Sequence, residues 1–320
     1  MNTPVFISWE KHQRTRTIAK KFSLSLYEVV PPYQGVKRYL FCLWTTLSIL
    51  VKNKPRVLIV QNPSLILSLW VLVLRPFFGY KLVMDAHNEA IIPFLNNNSL
   101  FRFLSKTLTR YANLTLVTNP VLAKIVHDNG GKAFILPDIL PQFEYDTKPP
   151  QLANEFNITF VCTYAQDEPV QEIFKAAELL GNQYQFKVTG RIPKDFNHQT
   201  KPANVTLTDF LSEHDYITTL ANSHIIIDLT TMDNCLVCGA YEAIALERPL
   251  ILSANDASLA LFGNYAIHTK NSSDAIAEAV LKIYNDYSSQ IERNIFEKNR
   301  LIKIEEQRVQ ELLTTLDSNL

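Results

Sequence analysis

At 320 residues, 47% apolar and 19% charged, the chain is long enough for two globular domains and too apolar to be disordered. Its net charge of zero hides an asymmetry: residues 1–150 carry 18 Lys/Arg against 8 Asp/Glu, a balance of +10, and residues 151–320 carry 13 against 23, a balance of −10. The longest apolar run, 64–74, has 11 residues, against the roughly 20 that a membrane-spanning helix needs, so no such helix is expected.

In chain order, Met1-Asn-Thr-Pro leads straight into an apolar run without a leader-like segment. Short apolar runs then alternate with amphipathic stretches, the pattern of a doubly wound parallel sheet. Strands are expected at 4–8, 23–30, 57–61, 81–86, 114–118 and 132–136, with helices at 11–21, 37–52, 63–75, 100–112 and 120–128. Asn62-Pro63 and Asn119-Pro120 each place Asn at a helix N-cap and Pro at its first position, and Gly130-Gly131 closes the last helix. The proline-rich stretch 140–151 reads as a linker between a domain of 1–145 and a second of 152–290. In the second half, strands are expected at 157–162, 184–189, 204–208, 225–229, 250–252 and 265–269. Helices are expected there at 170–180, 213–221, 239–247 and 273–286, and a charged helical tail, about 295–320, could pack back on the first domain.

Several segments carry polar groups where an open α/β sheet binds ligands, beyond the carboxyl ends of its strands. Strand 81–86 runs out into His87-Asn88-Glu89. The first strand runs out into Ser8-Trp-Glu-Lys-His-Gln-Arg-Thr-Arg16, where Arg14 and Arg16 suit phosphate and Glu10 and His12 an acceptor; a solvated basic helix start explains them equally well. Strand 225–229 delivers a polar loop to the helix at Gly239, whose free N–H groups and positive dipole end suit phosphate. Glu242 lies one turn inside, placed to accept from sugar hydroxyls. Arg102, Lys106 and Arg110 form a basic stripe at helical spacing opposite an apolar face, a pattern that suits an anionic lipid surface. The basic half either meets such an anion or pairs with the acidic half across a cleft. Four cysteines (Cys42, Cys162, Cys235, Cys238) fit a reduced compartment. The Cys235/Cys238 pair lacks the second ligand pair a structural zinc requires, so no metal is expected.

The segments 238–253 and 82–90 resemble the donor-binding motifs of GT-B glycosyltransferases, especially family 4. The resemblance implies an α/β fold of two Rossmann-like domains facing a cleft, the donor held mainly by the second. Glu242 matches the family's ribose-binding Glu and Pro249 its strand-initiating Pro. Asn234 stands where the family has a first Glu against the donor sugar, and Glu247 where it usually ends the helix with Gly. His87 matches a His that contacts the donor sugar, and the segment 204–211 is similar to the strand and turn that hold the nucleobase, near Phe210, an ordinary turn being the alternative. The family's Arg and Lys for the diphosphate are missing after the strand at 157–162, where Asp167 and Glu168 stand instead. Either Arg191, beside Gly190, substitutes together with Arg14, or backbone N–H groups near Gly239 do.

The resemblance also implies transfer of a hexosyl unit from a nucleotide diphosphate sugar to a hydroxyl acceptor. The acceptor would be a surface glycan or a lipid-linked saccharide, with no cofactor; the resemblance favours retention of configuration, and Asn234 in place of the first Glu keeps inversion open. The protein would work in the cytoplasm or on the inner face of the cell membrane. Two rivals stand beside this: a nucleotide-sugar epimerase of the same fold, and a nonenzymatic nucleic-acid binder. Against the binder, the basic half lacks aromatic-interleaved basic motifs, so no nucleic acid is expected.

Overall fold

The computed structural model describes residues 4–318 apart from 63, 87, 92–98, 144–147, 153–154 and 197–200. Two compact units are present, one of residues 1–139 and 305–320, the other of 140–304.

The first unit runs β1 (Val5–Ser8), α1 (Gln13–Lys21), β2 (Ser25–Glu28), α2 (Gly35–Asn53), β3 (Val57–Asn62), α3 (Leu65–Phe78) and β4 (Lys81–Ala86). It continues with α4 (Asn88–Ile91), α5 (Ser99–Tyr111), β5 (Leu114–Val117), α6 (Pro120–Asp128) and β6 (Ala133–Ile135). Its six strands are all parallel, in the order β2-β1-β3-β4-β5-β6. Every residue of β1, β3 and β5 is buried, as their continuous apolar runs require once helices cover both sheet faces. Leu50, Leu67, Val71 and Leu108 pack one face; Ile18, Phe22 and the end of the chain (Val309, Leu312, Leu316) pack the other.

The second unit runs β7 (Phe156–Phe160), α7 (Val170–Leu180), β8 (Tyr184–Thr189), β9 (Val205–Asp209), α8 (Glu213–Ala221) and β10 (Ile225–Asp228). Then come α9 (Cys238–Ala245), β11 (Leu250–Ser253), α10 (Asp256–Phe262), β12 (Ile267–Thr269), α11 (Ser273–Asn285) and α12 (Tyr287–Ser318), which passes into the first unit at 305. These strands are also parallel, in the order β12-β11-β10-β7-β8-β9.

Local signals set several ends. The Asn119 side chain caps α6 by accepting from Leu122 N–H at 3.0 Å, with Pro120 at the first position. Asn62 does not cap α3: it is the last residue of β3, and Ser64 is the N-cap. Pro76 sits in the last turn of α3, and Gly79, at φ 71°, closes that helix by donating to Arg75 O. Arg248 is fully buried before β11 and gives its donors to Ala221 O, Leu246 O and Lys148 O. Its cation thus sits at the carbonyl ends of α8 and α9, where the helix dipoles offset its charge.

Candidate functional site

In the second unit the strand order reverses between β7 and β10, so their carboxyl ends open the crevice where sheets of this type bind ligands. The loops leaving those two strands, 161–169 and 229–237, are laced together. Thr230 Oγ1 donates to Asp167 Oδ2 at 2.5 Å, and Thr231 N–H to Asp167 O at 2.8 Å. Glu168 folds the first loop onto itself, its carboxylate accepting from Thr163 N–H (2.8 Å) and Ala165 N–H (2.9 Å). Asp167 and Glu168 therefore build the loop. Gly190, at φ 96°, ends β8 so close to this loop that a Cβ would lie 2.1 Å from Cys162 O. Backbone approach at that distance admits only glycine.

Gly239, expected to offer its N–H to phosphate, donates it instead to Asp228 Oδ2 at 2.8 Å. Asp228 ends the all-apolar run of β10 and is buried beneath the start of α9, so it caps the helix from within. Burial lifts its carboxyl well above the ordinary range, against the pull of that N–H, and the nearby Glu242, Glu168 and Asp167 add to the rise. A Cβ on Gly239 would meet the same carboxylate at 2.5 Å.

One turn on, half-buried Glu242 receives the Tyr216 hydroxyl on Oε2 at 2.6 Å. Burial raises the Glu242 carboxyl to about 7, with the Tyr216 bond pulling the other way. The Tyr216 phenol, pushed well above its usual range by burial and by Glu242, stays protonated and donates. The Tyr216 bond engages one of the two carboxylate oxygens, Oε2. Asn234 lies in the loop before α9 at φ 56°, a left-handed conformation that Asn tolerates. Glu247, at φ 61°, occupies the left-handed position after α9 that ordinarily goes to Gly, and its side chain pairs with Lys298 at 2.8 Å.

Arg191 and Phe210, beyond the ends of β8 and β9, come together: the guanidinium carbon lies 5.2 Å from the ring centroid. Both are exposed, Phe210 at 71%. A ring and a cation displayed side by side at a strand end form a platform on which a planar base can stack. Past β10, β11 and β12 a polar pocket of about 270 Å³ is lined by Thr230, Asp233, Ser253, Asn255, Lys270 and Asn271, among others.

The first unit corrects the reading of its own first loop. Arg14 is buried and engaged by Asp85 (2.9 Å), Asp138 and Leu136 O, so it is no phosphate ligand; an arginine enclosed by two carboxylates is held charged and spent. Arg16 pairs with Glu28 at 2.8 Å. Glu10 is exposed, 3.7 Å from Arg38, and His12 is the N-cap residue of α1 without a side-chain capping bond. His87 lies outside the described residues. Arg102, Lys106 and Arg110 are all exposed on α5.

Sequence reasoning missed Tyr216, Asp228, Asp85 and Asp138. Asp228 and Asp85 had a signal, a carboxylate at or near the end of a buried apolar run. Tyr216 had none, being 26 residues from the group it serves. The cysteines are free thiols, and among the described residues no group of three His, Cys, Asp or Glu side chains converges as a metal site would require.

No protein-family profile and no curated protein matches this sequence. Solved structures do. Sucrose-phosphate synthase from Thermosynechococcus elongatus superposes with a TM-score of 0.76 at 11% identity, covering 98% of this chain and 99% of that one. HepE from Anabaena, in complex with UDP and glucose, gives 0.72 at 11%, covering 99% and 100%. A putative UDP-N-acetylglucosamine 2-epimerase from Listeria monocytogenes gives 0.57 at 11%, covering 91% and 82%. With its two six-stranded parallel sheets, the chain has the GT-B fold.

Proposed function

We propose that this protein is a glycosyltransferase that moves a sugar from a nucleoside diphosphate sugar to a hydroxyl acceptor. The observation that carries the reading is Glu242: a half-buried carboxylate one turn inside a helix at the crevice of the second sheet, oriented by Tyr216 with one oxygen left over. That oxygen accepts a ribose hydroxyl, and Phe210 takes the base. Breaking the sugar–phosphate bond puts negative charge on the diphosphate, which fixed cations or N–H donors must stabilise. With Arg14 and the Gly239 N–H engaged elsewhere, Arg191 is the candidate cation for that charge. His87 and Asn234 flank the transferred sugar, by resemblance.

The finer reading is a hexosyl transfer with retention, without a metal, in the making of a surface glycan or a lipid-linked saccharide. The protein would meet that acceptor at the cytoplasmic face of the membrane, with the basic stripe of α5 contributing. UDP found with HepE makes UDP the first nucleotide to try.

Calorimetry with UDP and turnover with a panel of UDP-sugars test the proposal. Glu242→Ala should weaken UDP binding about ten- to a hundredfold, the loss of a charge-assisted hydrogen bond of about 1.5–3 kcal/mol. His87→Ala should slow transfer with little effect on UDP affinity. Unchanged UDP affinity in a folded Glu242→Ala protein removes the ribose role. Conversion of a UDP-sugar to its epimer with no acceptor present would assign the epimerase activity instead.

A further inference from the structure

The helices on one face of the first sheet display a surface that sugar transfer does not use. Between Glu28 and Asp85 the sequence has no acidic residue in 56 positions, yet it has seven basic ones: Lys37, Arg38, Lys52, Lys54, Arg56, Arg75 and Lys81. Within this stretch α2 turns Cys42, Thr46, Ile49 and Leu50 inward. On its opposite side Val36, Leu40, Trp44 and Val51 stand out, at 74%, 61%, 71% and 54% exposure. Their spacing puts them in one stripe along the helix. The neighbouring α3, tied to α2 by the Trp70 indole N–H donating to Leu43 O at 3.2 Å, buries Leu67, Val71 and Leu74 and exposes Ile66, Val73 and Phe77. Two adjacent helices thus expose large apolar side chains on the sides turned away from the sheet. A solvated face would carry polar residues there, and an apolar patch of this kind marks a docking surface.

Charge chooses the occupant. The stripe on α2 has exposed Lys37 at one end and exposed Lys52 at the other, with no carboxylate between them in the sequence; Arg38 is turned aside, donating to Trp9 O and 3.7 Å from Glu10. A second copy docked face to face on this surface would set cations against cations. Anionic headgroups satisfy the cations while acyl chains take the apolar stripe, and an exposed Trp belongs at that boundary. Neither helix is long and apolar enough to cross a membrane.

We infer that the α2–α3 face docks on an anionic lipid bilayer, inserting Leu40, Trp44 and Phe77 among the headgroups. This deepens the proposed peripheral enzyme and rests on that reading only for its purpose, bringing the first unit to a lipid-linked acceptor. The surface differs from the α5 stripe in acting through apolar insertion as well as charge.

Vesicle co-sedimentation and tryptophan emission of the full chain test it, with phosphatidylcholine vesicles with or without phosphatidylglycerol. Trp9 is 2% exposed and Trp70 half-buried, so Trp44 is the reporter. Its emission should shift to the blue with phosphatidylglycerol vesicles alone, and part of the binding should survive salt that screens charge. Leu40→Ser/Trp44→Ser/Phe77→Ser should bind these vesicles at least about tenfold more weakly, with melting temperature and UDP response unchanged. Equal binding by that variant, or an unshifted Trp44 emission, overturns the inference. So does a solution dimer of the parent that the variant dissolves, which would make the face an interface between copies. Vesicle binding without binding of any nucleoside diphosphate (UDP, GDP, ADP, CDP or dTDP) would instead sink the glycosyltransferase reading and leave this one standing.

Discussion

Tyr216→Phe isolates what the 2.6 Å hydrogen bond does for Glu242. The ring stays and one hydroxyl goes, so packing is nearly unchanged. A hydrogen bond to a charged group contributes about 1.5–3 kcal/mol, and a shift of one pKa unit corresponds to about 1.4 kcal/mol, so Glu242 should titrate about one to two units higher without it. In the parent, burial already sets that carboxyl at about 7. The raised value means the folded protein holds this proton more tightly than the unfolded chain. Its contribution to stability is fully present below the ordinary 4.5 and is lost as pH rises through about 7. Ribose hydroxyls donate best to the ionised carboxylate, so UDP affinity of the parent should rise as pH passes through about 7. In Tyr216→Phe that rise should move to higher pH by about one to two units, weakening binding near neutrality by about five- to fiftyfold. Calorimetry with UDP across the pH range measures both curves, and Glu242→Gln should flatten the dependence. A parent whose UDP affinity ignores pH, or a variant with an unmoved midpoint, would refute the reasoning.

Two pairs of substitutions test the packing around the first loop and at the end of β8. Arg14→Met leaves Asp85 buried and unpaired and should cost about 3–5 kcal/mol in urea unfolding, while Arg16→Met, whose side chain is 47% exposed, should cost less than about 1. Normal stability with lost UDP binding in Arg14→Met would restore the phosphate role. Gly190→Ala should destabilise far more than Gly79→Ala: both have positive φ, worth about 1–2 kcal/mol, but only Gly190 has a backbone oxygen at 2.1 Å from the added Cβ. Equal shifts in melting temperature would mean the β8 loop gives way easily.

The sequence by itself determined the class of fold. Runs such as 57–61 and 225–229 are apolar at every or nearly every position, which suits only strands covered on both faces, and the amphipathic stretches between them supply the cover. Local chemistry determined the Asn119-Pro120 start of α6 but not that of α3, because a strand running one residue further made Asn62 part of the sheet. The seven-residue α10 was too short to show a period. The places of Glu242, Arg191 and Phe210 in the fold were legible because position at a strand or helix end is a local property. Whether a charge is free was not: Arg14 is spent on residues 71 and 124 positions away, and the Gly239 N–H on one 11 positions back. The same holds for α2, which is apolar on more than one side. Periodicity finds its stripes, but only the packed sheet decides which of them is core, and so leaves Val36, Leu40 and Trp44 facing outward.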